Sequence, residues 1–262
     1  MGVLYNSRIV TDGLVLCLDA GDKMSYPGAG TTWTDLSKNK NNGTLTNGPT
    51  FDSANGGNIV FDGANDRVDC GNSTSLNFGN SSSDSPFSIV SWAKFDSFSS
   101  SNPIFARGEG DGTTNGIEYA LTVGSDLTVK FILYDNNGSD QIRATTNTTL
   151  VTDIWYHICS TYDGSTNNTG MKIYINGVPQ GITLSTQGTY VAMHNAGQSN
   201  YIGSFLRTDP VWYSYMNGNV SLIQIYNREL SASEVQQNYK ATKGRFGLWY
   251  ILMENYYNGN II

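Results

Sequence analysis

The sequence predicts an all-β protein, a sandwich of two antiparallel sheets with one short C-terminal helix. Three observations carry that expectation. Short runs rich in β-branched and aromatic residues recur along the 262-residue chain, with polar turns between them. No β-α-β alternation interrupts them. The composition is turn-rich and poor in charge: there are 29 Gly, and Asp, Glu, Lys and Arg make up only 14% of residues, too few for long exposed helices.

The stretch from Ile154 to Gly181 organises the rest. Trp155-Tyr156-His157-Ile158-Cys159-Ser160-Thr161-Tyr162 and Met171-Lys172-Ile173-Tyr174-Ile175 alternate in polarity as half-buried strands do. Trp155, His157, Cys159 and Thr161 belong to one face, and Tyr156, Ile158, Ser160 and Tyr162 to the other. Residues 163–170 lack an apolar anchor and read as a surface loop. Asn176-Gly177 is the sequence of a two-residue type I′ turn, which needs positive φ at both positions.

In chain order, residues 1–12 are a polar arm. Leu14 to Leu18 is a continuous apolar run, as in a strand buried on both faces. Short strands are expected at 58–63 and 66–70. A longer one runs from Phe87 to Phe95, with Phe87, Ile89, Ser91, Ala93 and Phe95 facing one way and Val90 and Trp92 the other. Further strand signals lie at 103–107, 117–123, 127–134, 141–145, 200–205 and 218–227. The helix is marked by Ser231-Ala232-Ser233-Glu234, a capping box, with Leu230 and Val235 as its hydrophobic staple. It should run to about Ala241 and stop before Gly244.

Composition excludes several function classes. A net charge of −7 argues against nucleic acid, whose phosphates are held mainly by Lys and Arg. Cys17, Cys70 and Cys159 are scattered, with no C-x-x-C pair, and read as buried small hydrophobes. Residues 1–8 lack the basic-then-apolar pattern of a signal peptide. No apolar run approaches the ~20 residues of a membrane span. Folding in a reducing cytoplasm is expected.

Taken together, Gly13 to Asp19, Trp33 to Ser37, Val60 to Asp66, Phe87 to Trp92, Trp155-Tyr156-His157, Lys172 to Gly177, Tyr201-Ile202-Gly203 and Ile225 to Ser231 stand in a telling order. That order resembles the laminin-G-like branch of the concanavalin A-like lectin/glucanase superfamily, over most of residues 13–248. The resemblance implies a jelly roll. The ending Asn238-Tyr239-Lys240, then Gly244 to Leu248, looks like stand-alone copies in tailed bacteriophages. It implies a virion-surface structural protein, a capsid decoration or tail component, partnered by other virion proteins or by itself as a homo-oligomer. The alternative is a lectin module that adheres to host cell-surface glycan.

Catalysis is not expected. Family glucanases carry an E-x-D-x-x-E run. The nearest match, Glu109-Gly110-Asp111-Gly112-Thr113-Thr114, ends on Thr and is broken by glycines, so it reads as a solvated turn. His157 lies inside a strand motif and reads as structural. The resemblance implies structural calcium, with Asp19 and Asp35 as candidate ligands. Relatives often have an acidic pair where this chain has Ser221 and Leu222, and the other reading of Asp19 and Asp35 is turn capping. For ligand binding, Trp212, Tyr213 and Tyr215, with Asp209, form the densest aromatic group, expected in a loop. These rings would stack on sugar, pack over the sandwich end, or meet a protein neighbour. The tail 249–262 begins with Trp249, Tyr250, Ile251, Leu252 and Met253, an apolar run that must be covered. It would do so as an edge strand on its own sandwich or by addition to a partner, the latter favoured because the motif set is complete without it.

Overall fold

The computed structural model describes residues 8–98, 101–108, 117–135, 140–195, 197–208 and 211–248. Among these, two large antiparallel sheets face each other as a jelly-roll sandwich. The eight-stranded sheet runs in the order Val178–Pro179, Met171–Ile175, Trp155–Tyr162, Phe87–Phe95, Asn217–Tyr226, Asn58–Asp62 and Thr50–Asp52. Leu14–Asp19 is its eighth strand and pairs with the second half of Asn217–Tyr226, while Asn58–Asp62 pairs with the first half. The nine-stranded sheet runs Ile182–Gln187, Gln141–Thr149, Thr128–Tyr134, Ile117–Val123, Asn102–Gly108, Asn200–Ile202, Arg67–Asp69, Gly43–Thr46 and Thr32–Trp33.

The central hairpins form as their patterns require. Asn176 and Gly177 both take positive φ, 53° and 76°, and close Met171–Ile175 onto Val178–Pro179. Phe87, Ile89, Ala93 and Phe95 enter the main core between the sheets, with Val90 and Trp92 on the far face. That far face is also covered, so the strand Trp155–Tyr162 is buried on both sides, beyond the half-burial its alternation suggests. The cover is the C-terminal helix, Ala232–Thr242, and the 3-10 turn Lys243–Phe246. Phe246 stacks on Trp92 at 4.0 Å, and the Trp92 indole N–H donates to Thr242 Oγ1 at 2.7 Å.

The helix begins at the expected capping box. Ser231 Oγ accepts from the Glu234 N–H, and the Glu234 carboxylate accepts from the Ser231 N–H. Leu230 and Val235 are both buried in one apolar cluster, as a staple. The α-helix stops at Thr242, before Gly244 as expected. The chain then runs on through Gly244 as the 3-10 turn Lys243–Phe246, which ends at Gly247 with φ 71°. Gly247 supplies the left-handed conformation that terminates helices, because only it needs positive φ there.

The strands at 58–62 and 67–69 do not pair with each other; they enter opposite sheets. Ile182–Gln187 has only Ile182 and Leu184 as apolar residues and is exposed at the sheet edge, so its pattern is faint.

Candidate functional site

The largest departure from expectation lies at the aromatic group. Its segment is a strand, Val211–Tyr215, paired antiparallel with Ser204–Thr208, and not a loop. The physical reason is cross-strand pairing: two five-residue β-prone runs flank a short connection and satisfy each other's backbone. In this ladder Trp212 stands opposite Arg207, Tyr213 opposite Leu206 and Tyr215 opposite Ser204. Asp209 lies outside the described residues.

Gly203 makes the hairpin possible. Its φ is 78°, and a Cβ there would strike the Phe61 ring. The turn takes the chain off strand Asn200–Ile202, and the Met216 N–H closes the base by donating to Gly203 O at 2.8 Å. The hairpin then lies against Asn102–Gly108 and Ile117–Val123. Phe205 packs on Ile117, Ile132 and Tyr134, a cluster separate from the main core, and Ser214 Oγ donates to Ser101 O at 2.7 Å. Tyr215 is half-buried.

Beside this ribbon, strand ends of the nine-stranded sheet gather buried polar groups. Arg107 Nε donates to Glu118 Oε2 at 2.9 Å, with both side chains fully buried. A guanidinium has five N–H donors, yet among the described residues neither Nη of Arg107 has a partner. His194 is buried, and neither of its ring nitrogens has a partner among the described residues. Burial pushes its pKa down; the Asp135 carboxylate opposes this and the Arg107 charge adds to it. Gln141 Nε2 donates to Gln187 Oε1 at 2.8 Å, but among the described residues its own Oε1 accepts nothing. Buried groups left in this state are places where water or a ligand hydroxyl completes the bonding. Nearby, Asp84 accepts from the hydroxyls of Tyr162 and Tyr190 and from the Met193 N–H, and burial raises its pKa. Along the same sheet, Asn39, Asn41, Asn42, Thr44, Asp69 and Asn72 line a polar hollow of about 530 Å³.

Sequence reasoning missed this polar end. Its signal was present: Arg107 and Glu118 are single charges inside otherwise apolar strand runs, and such charges are rarely buried unless paired.

The other expected residues fall elsewhere. Asp35 caps a turn. Its Oδ1 accepts from the Cys17 and Ser37 N–H groups, and its Oδ2 from Ser37 Oγ and the Asn41 N–H. Asp19 Oδ1 accepts from the Gly21 N–H and from Arg245 Nη1. One carboxylate is filled by donors and the other faces a guanidinium, so this pair does not suit calcium. His157 is fully buried against Trp92 and Tyr239, and burial depresses its pKa to about 3. Cys17, Cys70 and Cys159 are buried free thiols, and burial raises all three, Cys17 to about 12. The Glu109–Thr114 run and the tail residues Trp249, Tyr250, Ile251, Leu252 and Met253 lie outside the described residues.

Solved structures share this architecture. The binding domain of Paraclostridial Mosquitocidal Protein 1 matches with a TM-score of 0.60 at 17% identity, over 87% of this chain and 52% of that one. The Botulinum Neurotoxin Type G Receptor Binding Domain matches with a TM-score of 0.56 at 15% identity, over 87% and 51%. Trypanosoma rangeli sialidase matches with a TM-score of 0.58 at 16% identity, over 90% and 34%. The chain thus spans about half of the first two and about a third of the sialidase. At these identities the likeness is one of fold. No curated protein matches the sequence. A laminin-G family model, described as concanavalin A-like lectin/glucanases superfamily, matches residues 62–236. With most of the sandwich inside that match, the chain belongs to the concanavalin A-like lectin/glucanase superfamily.

Proposed function

We propose that this chain is a non-catalytic binding module whose ligand is carbohydrate, taken at the hairpin and the adjoining polar end of the nine-stranded sheet. The observation that carries the reading is the hairpin itself. Its ladder carries Trp212, Tyr213 and Tyr215 beside buried N–H groups of Arg107 that have no partner among the described residues. Sugars use both features, stacking C–H faces on rings and bonding hydroxyls to fixed polar groups. The non-catalytic reading is supported by what the acid and base groups do. Asp35 and Asp84 hold loops, Glu118 is paired to Arg107, and His157 is shut away from solvent.

A glycan array with the purified chain tests this. Consecutive strand residues belong to opposite faces of the ribbon, so only one of Trp212 and Tyr213 can belong to its open face. One of Trp212→Ala and Tyr213→Ala should weaken binding by ~1–3 kcal/mol with an unchanged melting temperature. No bound glycan at all, or equal loss of folding in both variants, counts against the reading.

The virion-surface role is a second proposal, supported by the phage-like ending Asn238 to Leu248, which forms the helical cover of the eight-stranded sheet. It calls for protein partners, with 249–262 as the docking segment. Deleting 249–262 should leave a folded, soluble chain that no longer assembles. Precipitation of the truncated chain would mean that the tail belongs to its own sandwich.

A further inference from the structure

The turn Lys243–Phe246 is anchored on two sides. Phe246 packs on Trp92 and Trp155. Arg245 reaches the other way, into oxygen atoms from three separate segments. Its Nη1 donates to Asp19 Oδ1 at 2.6 Å. Its Nη2 donates to Ser221 Oγ at 2.8 Å and to Gly57 O at 3.3 Å, and its Nε to Asn55 O at 3.4 Å. Asp19 ends the strand Leu14–Asp19, Asn55 and Gly57 belong to the turn after Thr50–Asp52, and Ser221 lies in Asn217–Tyr226. The Ala20 N–H donates to Ser221 O at 2.9 Å and holds two of these segments in register. Glycine makes the room. A Cβ on Gly21 would collide with the guanidinium, and Gly57, at φ 128°, faces the Ala20 carbonyl where no Cβ fits.

A carboxylate, a hydroxyl and two backbone carbonyls converging from distant segments are the donor set of a hard cation. Here the positive charge comes from the chain. Asp19 is the one carboxylate among the groups Arg245 meets, and one guanidinium neutralises it. A divalent ion beside the guanidinium would meet like charge at contact distance. We propose that Arg245 is the resident cation of this site: it ties the C-terminal cover to both strands without metal, and the site accepts a divalent cation only when Arg245 is removed.

The test is thermal unfolding of the full chain in EDTA and in about 10 mM calcium chloride, an excess over the millimolar affinity that so few charged ligands support. The wild-type melting temperature should be the same in both. Arg245→Ala should melt lower in EDTA and regain about 2–5 °C in calcium. Adding Asp19→Asn to that variant should abolish the gain. Should Arg245→Ala not fold, Arg245→Gln keeps a polar tip over the carbonyls, and terbium emission sensitised by the protein's aromatics reads cation binding directly. A wild-type chain stabilised by calcium through Asp19, or Arg245 variants without any cation response, overturns the proposal.

Discussion

Replacing His157 by Phe should flatten the acid limb of the stability profile. His157 is fully buried on the outer face of the eight-stranded sheet, edge-on to Trp92 at 5.4 Å and 5.6 Å from Tyr239. Among the described residues neither of its ring nitrogens has a partner. Burial lowers its pKa from 6.5 to about 3, so the folded protein keeps the ring neutral where the unfolded chain protonates it. The unfolded state therefore binds more protons between those two values, and folding stability falls as pH drops through that window. Each pH unit is worth about 1.4 kcal/mol, so between pH 7 and pH 5 the loss due to His157 is about 2 kcal/mol. At pH 7 the Phe variant should be neutral or slightly stabilised, because it removes two orphaned polar atoms and keeps an aromatic ring. Urea unfolding at pH 7 and pH 5, followed by Trp fluorescence, measures both quantities. His194 titrates in the same direction in both proteins and cancels in the difference. Parallel profiles for wild type and His157→Phe would refute the reasoning, as would a large loss of stability at pH 7.

Three further outcomes are expected. Phe246→Ala removes the ring stacked on Trp92 and should cost ~3 kcal/mol, with a red shift of Trp emission as the indole is uncovered. Ser231→Ala should cost ~1 kcal/mol by chemical unfolding, through loss of the helix cap. Arg228 and the Ser231 donors hold the Glu234 carboxyl near 2, so the stability Glu234 contributes is full above pH 4.5 and is lost as pH falls through 2. Glu234→Gln should remove that part of the acid limb.

Elements whose stabilisation is local were legible in the sequence. The alternation of Phe87 to Phe95, the Asn176-Gly177 turn and the Ser231–Glu234 box each encode their geometry within a few residues, and each forms as read. Contacts made by register or docking were not legible. Arg107 meets Glu118 only because Asn102–Gly108 and Ile117–Val123 pair with irregular register. Arg245 and Asp19 lie at opposite ends of the chain and meet only when the helical cover docks. The aromatic segment was misread because its strand partner, Ser204–Thr208, is cut from the preceding strand at Gly203, so the ribbon left no alternation continuous with a main sheet.

Whether this lectin-fold chain binds sugar at the hairpin and the polar end of the nine-stranded sheet is read by titrating the isotope-labelled chain with the strongest array oligosaccharide and following backbone amide shifts. The shifts should cluster at 204–215, at Arg107 and Glu118, and at His194. Shifts confined to the Ala232–Phe246 cover, or to the opposite sheet, would contradict binding there.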